Sequence, residues 1–202
     1  LMTNITGKTL IEPRALRFQT GQRTLHWNRN CVALGLAAGF LEPLESTSIH
    51  LIQRGIIRLM QMFPYGGITD ADRNEFNQQM STEFNFIRDF IIMHYHLNER
   101  TDSEFWTYCR EMTIPDSLKH RLDLFRETGR VFQSEGDIFG ENSWTQVMLG
   151  QGLVPKSYHP IVDMMSDKEL EQFLLHQKEK VDHVLRQLPG HGEFINRYCK
   201  AD

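Results

Sequence analysis

The chain has 202 residues and 40% hydrophobic content, enough for one large domain, or a domain and part of another, around a real core. Its 22 basic and 26 acidic residues are interspersed and sum to a net charge of -4, with no polybasic tract to neutralise a row of phosphates, so nucleic acid is not expected as a partner. Apolar stretches fall far short of a membrane span and no basic-then-apolar leader opens the chain, which predicts a soluble cytoplasmic protein with no membrane partner.

Up to about residue 35 the pattern is strand-like. Ala15-Leu16-Arg17-Phe18-Gln19 alternates, Thr20-Gly21-Gln22 reads as a turn, Thr24-Leu25-His26-Trp27 follows, and Cys31-Val32-Ala33-Leu34 is a short apolar run. Together they predict a hairpin and a third strand. Cys31, Cys109 and Cys199 are odd in number and widely spaced, without a C-x-x-C, so reduced thiols are expected rather than disulfides or a thiolate metal site.

From Ser46 onward the chain reads as helix with short breaks. Ile49, Ile52, Ile56, Leu59 and Phe63 recur at spacings of three and four until Pro64, Gly66 and Gly67, which predicts a helix packed inward along that stripe. Thr69-Asp70-Ala71-Asp72 resembles a capping box. The long helix it opens carries one stripe of Phe76, Met80, Phe84, Ile87 and Ile91 and another of Phe86, Phe90, Met93 and Leu97, so it is expected in the interior. Thr101-Asp102-Ser103-Glu104 is expected to cap a short aromatic helix, and Pro115 to open one that stops near Gly129. Asn142 or Ser143 is expected to cap a helix through Trp144, Val147 and Met148. Ser166-Asp167-Lys168-Glu169 is a capping box for a helix running to Leu188. The fold class is therefore α+β: a few N-terminal strands followed by a mainly α-helical module.

The chemistry-bearing residues are few. His94 and His96 are two apart and point to different faces of a helix, and no carboxylate-histidine pattern accompanies His176 and His183, so no metal site is expected. Phe105, Trp106, Tyr108, Phe139 and Trp144 can line an aromatic pocket or form core, and periodicity alone leaves both open. Gly150-Gln151-Gly152 follows a helical pattern and is half a dinucleotide fingerprint at most.

The segment from 30 to 50 stands apart. A short apolar run ends at Gly35, the small residues Ala37, Ala38 and Gly39 allow something flat to approach the backbone, and Pro43 fixes the entry to a helix. Glu45, read as a buried acid, stands directly before Ser46, Thr47 and Ser48. The first turn of a helix has unpaired amides and a partial positive charge, so these three can present an anion site beside an acid. A plain strand-to-helix turn with Ser46 as N-cap is the other reading.

The string Asn30-Cys31-Val32-Ala33-Leu34-Gly35-Leu36-Ala37-Ala38-Gly39-Phe40-Leu41-Glu42-Pro43-Leu44-Glu45-Ser46-Thr47-Ser48-Ile49 closely resembles the signature of the flavin-dependent tryptophan halogenase family. Phe90-Ile91-Ile92-Met93-His94-Tyr95, Ser103-Glu104-Phe105-Trp106 and Trp144-Thr145-Gln146-Val147-Met148-Leu149-Gly150-Gln151-Gly152 are similar to further family segments. The resemblance implies a flavin-monooxygenase-like FAD-binding core whose end is residues 1–63, carrying a halide- and flavin-facing turn, and a helical substrate-side module over 64–202. It implies reduced FAD, supplied by a separate flavin reductase, and chloride or bromide as substrate ion. Oxygen and halide then yield hypohalous acid, which halogenates an electron-rich aromatic, small or carrier-bound. Carried over by position, Glu45 matches the catalytic acid, Thr47 and Ser48 the halide-binding amides, Gly39, Pro43 and Ser46 the cofactor-facing positions, and Phe105, Trp106 and Trp144 the substrate wall. A halide and a carboxylate about 4 Å apart repel by about 4 kcal/mol at an effective dielectric near 20, so Glu45 is expected to point away from the halide.

No Gly-x-Gly-x-x-Gly follows a strand, and the family's catalytic lysine and Trp-x-Trp-x-Ile-Pro motif find no match. With the start at Leu1, this predicts a C-terminal fragment that neither binds FAD tightly nor turns over alone. The family's adjacent tyrosine pair is also missing: Tyr65, Tyr95, Tyr108, Tyr158 and Tyr198 are all separate, so residues 129–144 are expected to form a different pocket wall, open to a larger indole or phenol. A flavin-dependent aromatic monooxygenase without halogenation and a non-catalytic helical binding module are the alternatives. A homodimer stays open.

Overall fold

The computed structural model describes residues 14–200. Two small antiparallel ladders lie at the N-terminal side: β1 (Gly21–Gln22) pairs with β4 (Gly39–Phe40), and β2 (Trp27–Asn28) pairs with β3 (Cys31–Val32). The predicted hairpin therefore exists in a different register. Arg29, left-handed at φ 55°, turns β2 into β3, while Gly21 and Gln22, expected in a turn, are themselves strand. Residues 15–19 form no strand. Phe18 instead sets its ring edge against Phe40 at 5.3 Å.

Helices α1 (Thr47–Gln61), α2 (Asp70–His96), α3 (Glu104–Glu111), α4 (Asp116–Thr128), α5 (Glu141–Gly150) and α6 (Asp167–Gln187) follow, then the short α7 (His191–Phe194) and a π turn, Ile195–Cys199. The 27 residues of α2 are the spine. Phe76, Met80, Phe84, Ile87 and Ile91 join Trp27, Ala38 and Leu51 in one core, while Phe90 and Met93 join Leu118, Leu122, Phe125, Val131, Trp144 and Met148 in a second. Each such large side chain contributes about 1.5 to 3 kcal/mol on burial. Packing in the first core continues across residue 63. Residues 160–200, with α6 and α7, are exposed throughout.

The capping boxes at Thr69 with Asp72 and Ser166 with Glu169 form as read. Two other caps differ. Ser103 precedes α3 without a side-chain cap bond, and Gly140, not Asn142 or Ser143, precedes α5, because Glu141 already begins the helix.

α1 is rotated relative to its apolar stripe. Ile49, Ile52, Ile56 and Phe63 are exposed, and the buried face is Thr47, Leu51, Gly55 and Arg58. Gly55 lets α1 approach closely, since a Cβ there would stand 2.7 Å from Leu34 Cδ2. Arg58 is tolerated because Glu83 of α2, 1% exposed, pairs with it and also meets His50 Nε2 at 3.1 Å and Arg54 Nε at 3.4 Å. An ion cluster thus fixes which face of α1 turns inward.

Candidate active site

The turn from Pro43 to Thr47 joins β4 to α1 through a short 3-10 segment, Leu44–Ser46. Two consecutive residues in it, Glu45 at φ 63° and Ser46 at φ 54°, are left-handed without being glycine. Such a pair is strained by about 1 to 3 kcal/mol per residue, and strain of this kind gathers at functional sites. Ser46 makes no side-chain cap bond, its own amide donating to the Pro43 carbonyl at 2.9 Å, so the amides that begin α1 have neither an intrahelical nor a side-chain acceptor at their cap.

Thr47, buried, and Ser48 line a narrow crevice of about 120 Å³ with Gly35, Leu36, Gly39 and Leu51. Beyond it opens a hollow of about 540 Å³ bordered by Phe18, Gln22, Arg23, Leu36, Gly39 and Phe40. Gly39 has no room for a side chain, because a Cβ would lie 2.7 Å from the Gly21 carbonyl oxygen. Gly21, Ala37, Ala38 and Gly39 leave one stretch of the hollow's border to backbone and small residues, between the larger side chains of Phe18, Arg23, Leu36 and Phe40.

Glu45 lines neither space. It is exposed rather than buried as the sequence led us to expect, because its left-handed backbone lifts it out of the turn, and its carboxylate faces His94 Nε2 of α2 at 3.7 Å. His94 Nδ1 lies 2.8 Å from the Phe90 carbonyl oxygen. One residue on, the Tyr95 hydroxyl donates to both oxygens of Glu42 at 3.0 Å. Burial, and then the Glu42 carboxylate beside it, hold the Tyr95 phenol above its usual range.

An aromatic row continues from both residues. Tyr95 stacks on Trp106 at 6.0 Å, Phe105 sits 5.0 Å from Trp106 with its ring exposed, and the Arg100 guanidinium covers Trp106 at 4.5 Å. Phe90 stacks on Phe139 at 3.7 Å and meets Trp144 edge-on at 4.8 Å. Trp144 is 1% exposed, covered by Phe90 and by Arg121 at 4.0 Å, and so is core in this structure rather than wall. Pro43 and Ser46 are exposed within the turn and line neither the crevice nor the hollow. Among the described residues no cluster of histidine, cysteine and acidic side chains could hold a metal ion, and no helix is long and apolar enough to cross a membrane.

The sequence profile of the family described as tryptophan halogenase matches residues 1–167. The chain belongs to the tryptophan halogenase family. Among curated relatives it is 32% identical to tryptophan 6-halogenase ThaL of Streptomyces albogriseolus, over 90% of this chain and 37% of that protein. It is 28% identical to tryptophan 7-halogenase RebH of Lentzea aerocolonigenes, over 90% of this chain and 38% of that protein. The fold superposes on Xcc4156, a flavin-dependent halogenase from Xanthomonas campestris, with a TM-score of 0.94 and 55% identity, covering 100% of this chain and 41% of that one. BrvH, a flavin-dependent halogenase from Brevundimonas sp. BAL3, gives 0.91 and 40% identity, covering 97% and 40%. The chain thus spans well under half the length of the halogenases it matches.

Three residues of the site escape sequence reasoning: Glu42, His94 and Tyr95. Their partners are 49 and 53 positions away, a distance no local periodicity records. The segment around His94 and Tyr95 did carry the family resemblance, and that was the available signal.

Proposed function

We propose that the complete protein is a flavin-dependent halogenase of an electron-rich aromatic substrate of indole or phenol type, free or carrier-bound. The observation that carries this reading is the strained turn at Glu45 and Ser46, which separates a carboxylate facing α2 from Thr47 and Ser48, the first residues of α1, which line the crevice beside Gly39. Gly39 lines the hollow and would border FAD there, with Pro43 and Ser46 flanking it from the exposed turn. When bound and reduced by a separate flavin reductase, FAD with oxygen and chloride or bromide supplies hypohalous acid.

The residues of this chain divide the remaining work. Thr47 and Ser48 hold the halide at the positive end of α1, where none of the described residues lining the crevice is a carboxylate that would repel it. Phe105 and Trp106 offer apolar faces to the ring. Glu45 accepts the proton lost as the halogenated carbon regains aromaticity, a general-base role. The chain alone is expected to be inactive.

The test is the complete protein with reduced FAD, oxygen, bromide and indole or a phenol, read by mass spectrometry. Brominated product that falls at least about a hundredfold in Glu45→Gln supports the reading. Oxygenated product without bromide dependence would replace it with a monooxygenase.

A further inference from the structure

We propose that one face of α6 is a docking surface for the part of the complete chain that these 202 residues do not include, and that it closes onto that part within one molecule rather than onto a second copy. Leu170, Phe173, Leu174, Val181, Leu185 and Leu188 are all exposed. At about 100° per residue they fall on one side of the helix, with His176, Glu179 and His183 on the other. No residue of α6 is buried, and its side-chain hydrogen bonds stay within residues 166–187, so no described element covers this face. An amphipathic helix owes most of its stability to a covered face, and a contiguous apolar patch of this length marks an interface.

The superpositions bear on what covers it. This chain matches Xcc4156 with a TM-score of 0.94 over 100% of its residues, α6 included, yet corresponds to only 41% of that chain. An arm set at another angle could not give such a score. The helix therefore keeps its place in a molecule more than twice as long, although no neighbour among the described residues fixes it there. Its apolar face is also broad. From Phe173 to Leu185 it spans about 120°, the width that meets a globular core, whereas two coiled copies share a narrower seam. Charge argues against a second copy as well. With Leu174 and Val181 at the a positions of a heptad, Lys178 falls at e and Lys180 at g. Two antiparallel copies set Lys178 against Lys178 and Lys180 against Lys180, and two parallel ones set Lys178 against Phe173 and Lys180 against Leu185. Neither arrangement pairs opposite charges. The receiving surface is accordingly apolar, with acidic groups at its edges to meet the two lysines.

The experiment uses the complete protein as wild type, as Leu174→Glu with Val181→Glu on the apolar face, and as His176→Glu with His183→Glu on the opposite face. Hydrogen exchange over residues 167–188 is read together with molecular mass by light scattering across a hundredfold dilution, a range of about two decades in dimer occupancy. In wild type, α6 is expected to be protected to the same degree at every concentration. The apolar-face variant is expected to lose about tenfold or more of that protection at unchanged mass, and the opposite-face variant to keep it. Wild-type α6 that exchanges as freely as an uncovered helix overturns the proposal, and so does protection that falls together with mass on dilution, which would assign the face to a second copy. Both outcomes are read on wild type, so a variant that fails to fold does not shelter the proposal. None of the readouts uses halogenation, so a failed halogenase assay leaves them standing.

Discussion

The Tyr95 hydroxyl donates to both carboxylate oxygens of Glu42, tying the last turn of α2 to the segment three residues ahead of Glu45. With His94 on the same turn, α2 grips the strained loop at two neighbouring points. Leu41 and Leu44 pack against the first core on either side of Glu42, so the loop is held both by that core and by the end of α2.

Replacing Tyr95 by phenylalanine is expected to lower halogenation severalfold while leaving the aromatic stack on Trp106 in place. The pH dependence follows from the phenol being held above its usual range by burial and by Glu42. A group raised on folding contributes stability that is present below its unfolded value and is lost as pH rises through the folded one. Thermal melting of the complete protein should therefore decline above about pH 10, and less steeply in Tyr95→Phe. Tyr158, whose hydroxyl donates to Asp163, is raised in the same direction, so the difference between the two proteins is the quantity to read.

Glu83 is the anchor of the α1 and α2 interface. Glu83→Ala leaves Arg58 buried without its carboxylate, which is expected to cost about 3 to 5 kcal/mol and lower the melting temperature. A double replacement, Arg58→Met with Glu83→Met, should recover most of that loss, because apolar groups of similar volume replace buried ion pairs at little cost. A double variant as unstable as the single one would mean that the pair does more than fill space.

These two contacts also explain what the sequence could disclose. The stripes of α2 and both capping boxes were legible because their residues lie three or four apart and answer to one helix. The phase of α1 was not legible. Ile49, Ile52 and Ile56 form the better apolar stripe, but Gly55 and an arginine neutralised from another helix decide the buried face. A pattern of apolar residues records that a helix is amphipathic, not which of its faces its neighbours in the fold bury. In the site, the string around Glu45 was visible as a family signature, while Glu42, His94 and Tyr95 came together through folding of distant segments. Trp144 misled for a related reason: an aromatic residue at helical spacing reads alike in a pocket wall and in a core.

Glycines at two positions should respond in opposite directions. At Gly39 an added methyl would meet the Gly21 carbonyl oxygen at 2.7 Å and Gln22 Cα at 2.8 Å, both backbone, so Gly39→Ala is expected to destabilise by about 1 to 3 kcal/mol. Gly150 closes α5 with open space around it, and Gly150→Ala should stabilise by about 0.5 to 1 kcal/mol. Chemical denaturation of the complete protein checks both, and flavin retention should suffer in the first alone.

Ser46→Gly separates stability from activity at the turn itself. Glycine adopts the observed φ of 54° without a Cβ clash, which relieves left-handed strain of about 1 to 2 kcal/mol, while its greater freedom in the unfolded chain takes back about half. The variant should thus melt slightly higher than wild type or at the same temperature. Halogenation should nevertheless fall, because the same freedom lets Glu45 and the first amides of α1 sample geometries that the serine forbids. Replacement by alanine keeps the Cβ and its strain and removes the hydroxyl, which makes no cap bond, so Ser46→Ala should resemble wild type in both measurements. Equal activity in Ser46→Gly and Ser46→Ala would show that the enforced left-handed turn has no part in placing the acid.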